Sequence, residues 1–356
     1  MANPFRIDLF SDTNCSTPKG MRQAMAQAEV GNEVAGEDPT VNLLLERVCD
    51  ILGKEAAIFL PSGSMCNTLS FRTHCRRPGD GIVFEQTSHP ILKNNTIFSG
   101  LVQATPILLE GKNGTFTADQ LVPILERDYG YNEVCPALIS VENPSNYGGG
   151  AIWSLNELKA VSQLSKKHAV PIHMDGARLF VIQAKNGTPL EEYAQMADSV
   201  FVDFCKTLGA PMGAVLAGSK DFIDEVWFHK FQFGGYMHKA GFLAAACLYG
   251  LDHHLELIPE LIQNAESLAN GLSELLFYDV EFLETNIVHL KTTHPTLSAY
   301  EIEAKLAEQR IRVHAYEHNM IRMIVHLDIK PPEILEIVEN FGHLCRNADP
   351  SMKVGT

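Results

Sequence analysis

The 356-residue sequence predicts an α/β protein with a mainly parallel, seven-stranded sheet flanked by helices and a smaller C-terminal α+β domain. Three observations predict it. From about residue 55 to 220, short apolar runs alternate with longer segments of helical period. The runs are apolar throughout rather than alternating, as expected of strands covered by helices on both faces. After about residue 250 the texture changes to strands with partial polar alternation.

The seven runs are AAIFLP (56–61), GIVFE (81–85), QATPILLE (103–110), PALISVE (136–142), PIHMD (171–175), SVFVDF (199–204) and GAVLAGS (213–219). Between several of them the spacing predicts helices over 64–75, 117–128, 155–168 and 189–196. KAGFLAAACLYGL (239–251) opens a helical region that continues, interrupted, to about 275. Beyond it, 280–292 and 321–329 are expected to be strands, and 298–309 and 332–345 helices. The expected division is a large domain over 1–250 and a small one over 251–356, in keeping with a chain too long for one small core.

A hydrophobic content of 46% with 20% charged residues describes a folded protein. The formal charge of −15 argues against nucleic acid or an anionic membrane as partner, because phosphate would be repelled without a basic stripe. Eight cysteines occur with no Cys-x-x-Cys pair, so reduced thiols and no zinc cluster are expected. The start MANPFRIDLF lacks the pattern of a signal peptide, and no apolar stretch is long enough to span a bilayer. A cytoplasmic protein is the expectation.

Ligands in open α/β sheets collect beyond the carboxyl ends of the strands, so the residues there are the candidates. In PSGSMCNTLSF (61–71), Gly63 and Ser64 stand at a strand-to-helix junction, where free amides and the helix dipole favour an anion. Ser64 and Asn67 add side-chain donors, although a plain N-cap reads equally well. His89 lies at a loop edge in EQTSHPILKNN, and a structural role is the commoner fate of a solitary histidine. Gly148, Gly149 and Gly150 in NPSNYGGG permit close backbone approach, or simply make a loop. HMDGAR brings Asp175 and Arg178 out of an apolar strand, and Lys206 closes another. An ammonium there is costly to desolvate, and an amine kept from water is a usable nucleophile toward carbonyls. A phosphate cup, a ring-facing histidine, a carboxylate and an amine together suit pyridoxal phosphate. Lys206 would form its Schiff base, and Asp175 would pair with its ring nitrogen.

On EVAGEDPTVNLL, FLPSGSMCN, HMDGARLF, CKTLGAPMGAVLAGSK and GGYMHKAG, the chain resembles the L-threonine aldolases, among the fold type I pyridoxal-phosphate enzymes. The resemblance runs from about residue 7 to 328. It implies cleavage of an L-β-hydroxy-α-amino acid, threonine-like or bulkier, to glycine and an aldehyde. β-Elimination with release of ammonia is the alternative on the same cofactor. It also implies the Schiff-base role for Lys206, the ring-nitrogen role for Asp175, stacking for His89 and phosphate binding for Gly63 and Ser64. Ser11, Arg178 and Arg322 match the group that holds the substrate α-carboxylate, and a homotetramer is implied. His89 is the candidate base. The departures are Ser145, where the family has a histidine near the substrate β-hydroxyl, Ala35 for a tyrosine, His238 for an arginine and Cys205 for a serine. They fall on the substrate side and phosphate rim, which implies retained cofactor chemistry with a substrate other than ordinary threonine.

Overall fold

The seven apolar runs form one sheet. In the computed structural model, which describes residues 4–348, the chain divides into two compact units, one over 17–255 and one that joins the described residues before 17 to those after 255. This differs from the expected 1–250 and 251–356 chiefly at the N-terminus. The first strand, β1 (Ile7–Asp8), pairs in parallel with Ile311 and Arg312, far along the chain, so the first residues belong to the smaller unit.

The larger unit begins with α1 (Lys19–Gln27) and α2 (Pro39–Leu52). Helix α2 is closed at both ends by local chemistry. Asp38 accepts the Val41 amide at its start, Pro39 occupies the first turn, and Gly53 leaves the helix with φ 59°. There follow β2 (Ala56–Leu60), α3 (Gly63–His74), β3 (Gly81–Glu85), α4 (His89–Lys93) and β4 (Thr105–Leu109). The chain continues through α5 (Ala118–Leu125), β5 (Pro136–Glu142), α6 (Leu155–His168), β6 (Ile172–Gly176), α7 (Leu179–Asn186) and α8 (Leu190–Ala194). It ends with β7 (Ser199–Asp203), β8 (Ala214–Gly218), α9 (Lys220–Gln232) and α10 (Gly241–His253).

The strand order is β2-β8-β7-β6-β5-β3-β4. Only β8 runs against its neighbours, so the other six strands present their carboxyl ends along one side. Every residue of β3, β6, β7 and β8 is buried, as both-face coverage requires, whereas the edge strand β4 is half-exposed. Ile58, Leu60, Leu69, Phe201, Leu216 and Val226 pack the sheet against α3 and α9. Phe71, Phe84, Phe98 and Leu138 form a second cluster around β3.

The smaller unit adds α11 (Ile258–Ser273), β9 (Tyr278–Phe282), β10 (Ile287–Thr292), α12 (Ala299–Glu308), β11 (Ile311–Arg312), β12 (His314–Glu317), β13 (Met320–Ile324) and α13 (Pro331–Ala348). Its antiparallel sheet has the order β12-β13-β10-β9. The single strand expected over 280–292 is a hairpin of β9 and β10, and the strand expected over 321–329 stops at Ile324. No helix among the described residues is long and apolar enough to cross a membrane.

Candidate active site

The candidate residues of the larger unit meet at the carboxyl ends of β2, β3, β5, β6 and β7. Ser62 caps α3 through the Met65 amide, which puts Gly63 and Ser64 in the first turn, where the helix itself supplies no acceptors. A Cβ on Gly63 would lie 2.8 Å from the Phe201 ring and 2.9 Å from Asp203 Oδ2. Only a glycine lets the helix start sit this close to the end of β7. Asn94, at the end of α4, donates to the Ser64 hydroxyl at 2.9 Å.

Lys206 follows β7 and is largely buried, with Nζ 3.6 Å from Asp203 Oδ2. The other oxygen of Asp203 accepts the Cys205 amide and thiol, at 3.0 and 2.9 Å. Cys205 is thereby occupied in fixing the carboxylate beside the lysine. Cys66, fully buried on α3, has its thiol pushed well up by burial and by the charges of Asp203 and Asp175.

Asp175, near the end of β6, accepts the Ala177 amide at 3.1 Å and the Asn67 side-chain amide at 2.8 Å. Asn67, read from the sequence as a side-chain donor at the start of α3, donates to Asp175 and orients it. Its carbonyl is then the acceptor for His173 Nε2 at 3.0 Å. That leaves His173 Nδ1 to accept from the Ser199 hydroxyl, which in turn accepts from His74 Nε2, both at 2.9 Å. Burial holds His173 neutral, with its pKa pushed well below the ordinary imidazole value. A buried, directional chain of hydrogen bonds thus sets one carboxylate.

His89 opens α4, and its amide donates to Glu142 Oε2 at 2.8 Å. Glu142 closes β5 directly opposite Asp175 in the ladder. Arg178, 4% exposed, stands at the N-terminus of α7. Ser145 is fully buried in the turn after β5, where its hydroxyl accepts the Gly148 amide at 3.2 Å. Among the described contacts nothing joins it to Lys206, Asp175 or His89.

In the smaller unit, Arg322 on β13 donates to the carbonyl of Phe10 at 3.3 Å, next to Ser11. Ser11 caps the short helix 12–14 by accepting the Thr13 amide. These two candidates are brought together. The motifs EVAGEDP and GGYMHKAG also meet. Glu33 is ion-paired with the fully buried Lys230 and accepts the Met237 amide, so these segments hold structure; Ala35 and His238 are exposed beside them. Glu142, Asp203 and Asn94 were not among the sequence candidates. The first two carry the signal that singled out Asp175, an acid closing an apolar strand.

The beta-eliminating lyase family model matches residues 8–295. The low-specificity L-threonine aldolase 1 of Arabidopsis thaliana is 32% identical over 334 residues, 92% of this chain and 93% of its own. That of Escherichia coli O157:H7 is 30% identical over 337 residues, 94% and 98% of the two chains. The chain belongs to the L-threonine aldolase family. In fold the family likeness extends to the threonine aldolase of Leishmania major, with a TM-score of 0.81 over 96% of this chain and 99% of that one at 17% identity.

The residues present fit pyridoxal phosphate. The donor set is one amine, a buried and oriented carboxylate, and helix-start amides at a glycine packed without room for a Cβ. Thr207 and Ser88, the neighbours of Lys206 and His89, each bury a hydroxyl that finds no hydrogen-bond partner among the described residues. Buried polar atoms are nearly always satisfied, so these fit a site completed by a polar ligand.

Proposed function

We propose that the protein is a pyridoxal-phosphate lyase that cleaves an L-β-hydroxy-α-amino acid to glycine and an aldehyde. The observation that carries this is the grouping of Lys206, Asp175 and the α3 start at one end of the sheet, in a chain of this family. When bound, the cofactor supplies the electron sink for the carbanion character that develops at the substrate Cα.

Gly63 and Ser64 would hold the phosphate with backbone amides, reinforced by the dipole of α3. Lys206 would hold the cofactor through its amine, the group nucleophilic toward the cofactor's aldehyde. Asp175, fixed by Asn67 and the Ala177 amide, would pair with the ring nitrogen and favour its protonated form. Arg178 offers a planar guanidinium to the α-carboxylate, a geometry that a lysine could not match. Ser11 and Arg322 take the same assignment from the family likeness. His89, directly or through a water, removes the β-hydroxyl proton as the Cα–Cβ bond breaks. His89 holds that proton while the aldehyde departs, and one proton is returned, directly or through water, to Cα, so that the products glycine and aldehyde balance the substrate.

The protein works as a homo-oligomer. Phe228, Phe231, Tyr236 and Phe242 are each at least 40% exposed, an aromatic surface that a second copy would cover. Light scattering of the purified protein measures the stoichiometry, with a tetramer expected. The activity is tested by incubating the holoenzyme with threonine, allo-threonine and phenylserine. Glycine and an aldehyde in equal amounts are expected; ammonia and a keto acid would overturn the reading.

A further inference from the structure

Glu142 is a carboxylate at this end of the sheet that the proposed chemistry leaves without a task. It is 7% exposed, and both its oxygens are engaged by backbone amides. Oε2 accepts the amide of His89 and Oε1 that of Asn146, each at 2.8 Å. One side chain therefore holds the first residue of α4, which presents His89, and the turn that follows β5.

The charges facing it come from two elements: Asp175 lies opposite on β6 and Lys206 follows β7, while α4 meets it with the His89 backbone amide. Glu85 closes the neighbouring strand β3, but it turns to Thr87 and to the Gly111 amide instead. Burial first, and the Asp175 charge second, push the Glu142 carboxyl up to about 7, against the pull of its two amides and of Lys206. Two buried carboxyl groups across one ladder thus share too little positive charge for both to ionise comfortably.

We propose that Glu142 is a positioning residue whose ionisation is coupled to a positive charge at Asp175, so that cofactor binding releases its proton and tightens its grip on the His89 amide. The inference rests on the reading of Asp175 as partner of a protonated ring nitrogen. A cation there offsets the Asp175 charge that disfavours ionised Glu142. The proton leaves to solvent, and no bond other than O–H breaks. The resulting carboxylate accepts both amides in charge-assisted bonds, which are shorter and stronger than those to a neutral acid. The histidine is then held most firmly when there is a cofactor ring to face.

The test counts protons. Pyridoxal phosphate is titrated into apoenzyme at pH 7 by calorimetry in two buffers of different ionisation enthalpy, for the wild type and for Glu142→Gln. Ring-nitrogen and phosphate protonation are common to both proteins, so the difference isolates Glu142. The wild type is expected to release roughly half a proton more than the variant, as linkage requires of a group half-protonated at that pH. Glu142→Asp keeps an ionisable group but cannot reach both amides; it is expected to retain the extra proton release while losing kcat. Equal proton counts in wild type and Glu142→Gln, with the cofactor's visible absorbance present in both, would overturn the inference and leave the cofactor reading standing. Absence of that absorbance in the wild type would overturn the cofactor reading itself, and this inference with it. Should Glu142→Gln fail to fold, difference infrared on the wild type decides. Loss of a protonated-carboxyl stretch on cofactor addition at pH 6 is expected, and no such loss would overturn the proposal.

Discussion

Lys206 owes its setting to Asp203, 3.6 Å away and itself fixed by the Cys205 amide and thiol. Removing the amine takes away the group proposed to bond the cofactor aldehyde. Lys206→Ala is therefore expected to lose the visible absorbance of the bound cofactor and to reduce kcat by at least about 10³-fold, since nucleophile and cofactor attachment vanish together. Absorbance spectroscopy beside a glycine-release assay checks both at once. Ser145 supports a different kind of prediction. A Cβ on Gly114 would fall 1.8 Å from its hydroxyl and one on Gly148 2.7 Å from it, so the turn closes tightly around a small side chain. The histidine common in the family has no room here without moving that turn. Ser145→His is expected to cost about 1–3 kcal/mol by overpacking and to bring no gain in threonine cleavage; urea denaturation and a kinetic assay measure the two effects. Ser145 is thus proposed to act through the turn it packs into.

Helix α3 is the element on which the site turns, because it supplies the proposed phosphate amides at its start and Asn67 one turn further on. Its glycine is required by packing rather than by an unusual backbone angle. Gly63→Ala is expected to push the helix start away from Phe201 and Asp203 and to weaken cofactor affinity about 10-fold or more. A cofactor titration followed by absorbance would measure it, and unchanged affinity would remove α3 from the phosphate role. The elements that the sequence made legible were those whose periodicity is local. Each of the seven strands lies within or beside its expected run, and α6 spans the expected residues 155–168. The β9–β10 hairpin was read as one strand because its turn is LETN, with Glu284 at φ 60° where a glycine or asparagine would have announced it. The pairing of β1 with β11 involves two residues on each side and some 300 residues of intervening chain, too little pattern to read. In the site, the strand-closing acid was legible and led to Asp175. The same signal at Glu142 and Asp203 has meaning only once the strand order places those residues beside Asp175 and Lys206, and the partner of Asn67 is a property of packing alone.

Across the whole molecule the buried ionisable groups set how stability depends on pH, and they do not all act in one direction. His289 on β10, in register with Arg322 and almost wholly buried, is held down to about 4 by burial and by the Arg322 charge. His173 in the larger unit is lowered in the same sense by burial. A histidine whose folded pKa is depressed contributes stability that is present above its unfolded pKa, 6.5, and lost as pH falls through the folded one. Glu142 works the other way: its folded pKa is raised from 4.5 to about 7, so its contribution is present below 4.5 and lost as pH rises through 7. Between pH 4.5 and 6.5 the two tendencies oppose each other: the histidines lose stability as pH falls and Glu142 as it rises, so Glu142 offsets part of the apoprotein's acid-side loss. For His289 alone the shift corresponds to about 3 kcal/mol. His289→Phe tests this, since a phenyl ring can keep the packing against Tyr316, whose ring centroid lies 5.6 Å away, and cannot take a proton. Its acid-side loss, from urea midpoints between pH 7 and 4, is expected to be smaller than the wild type's by roughly that amount; equal slopes would show that the charging of His289 does not control acid stability. In the same window the coupling proposed for Glu142 adds a condition. A bound cofactor that keeps the carboxyl ionised removes this opposing contribution, so the urea midpoint of the holoenzyme is expected to rise more between pH 4.5 and 7 than that of the apoenzyme; equal rises would count against the coupling.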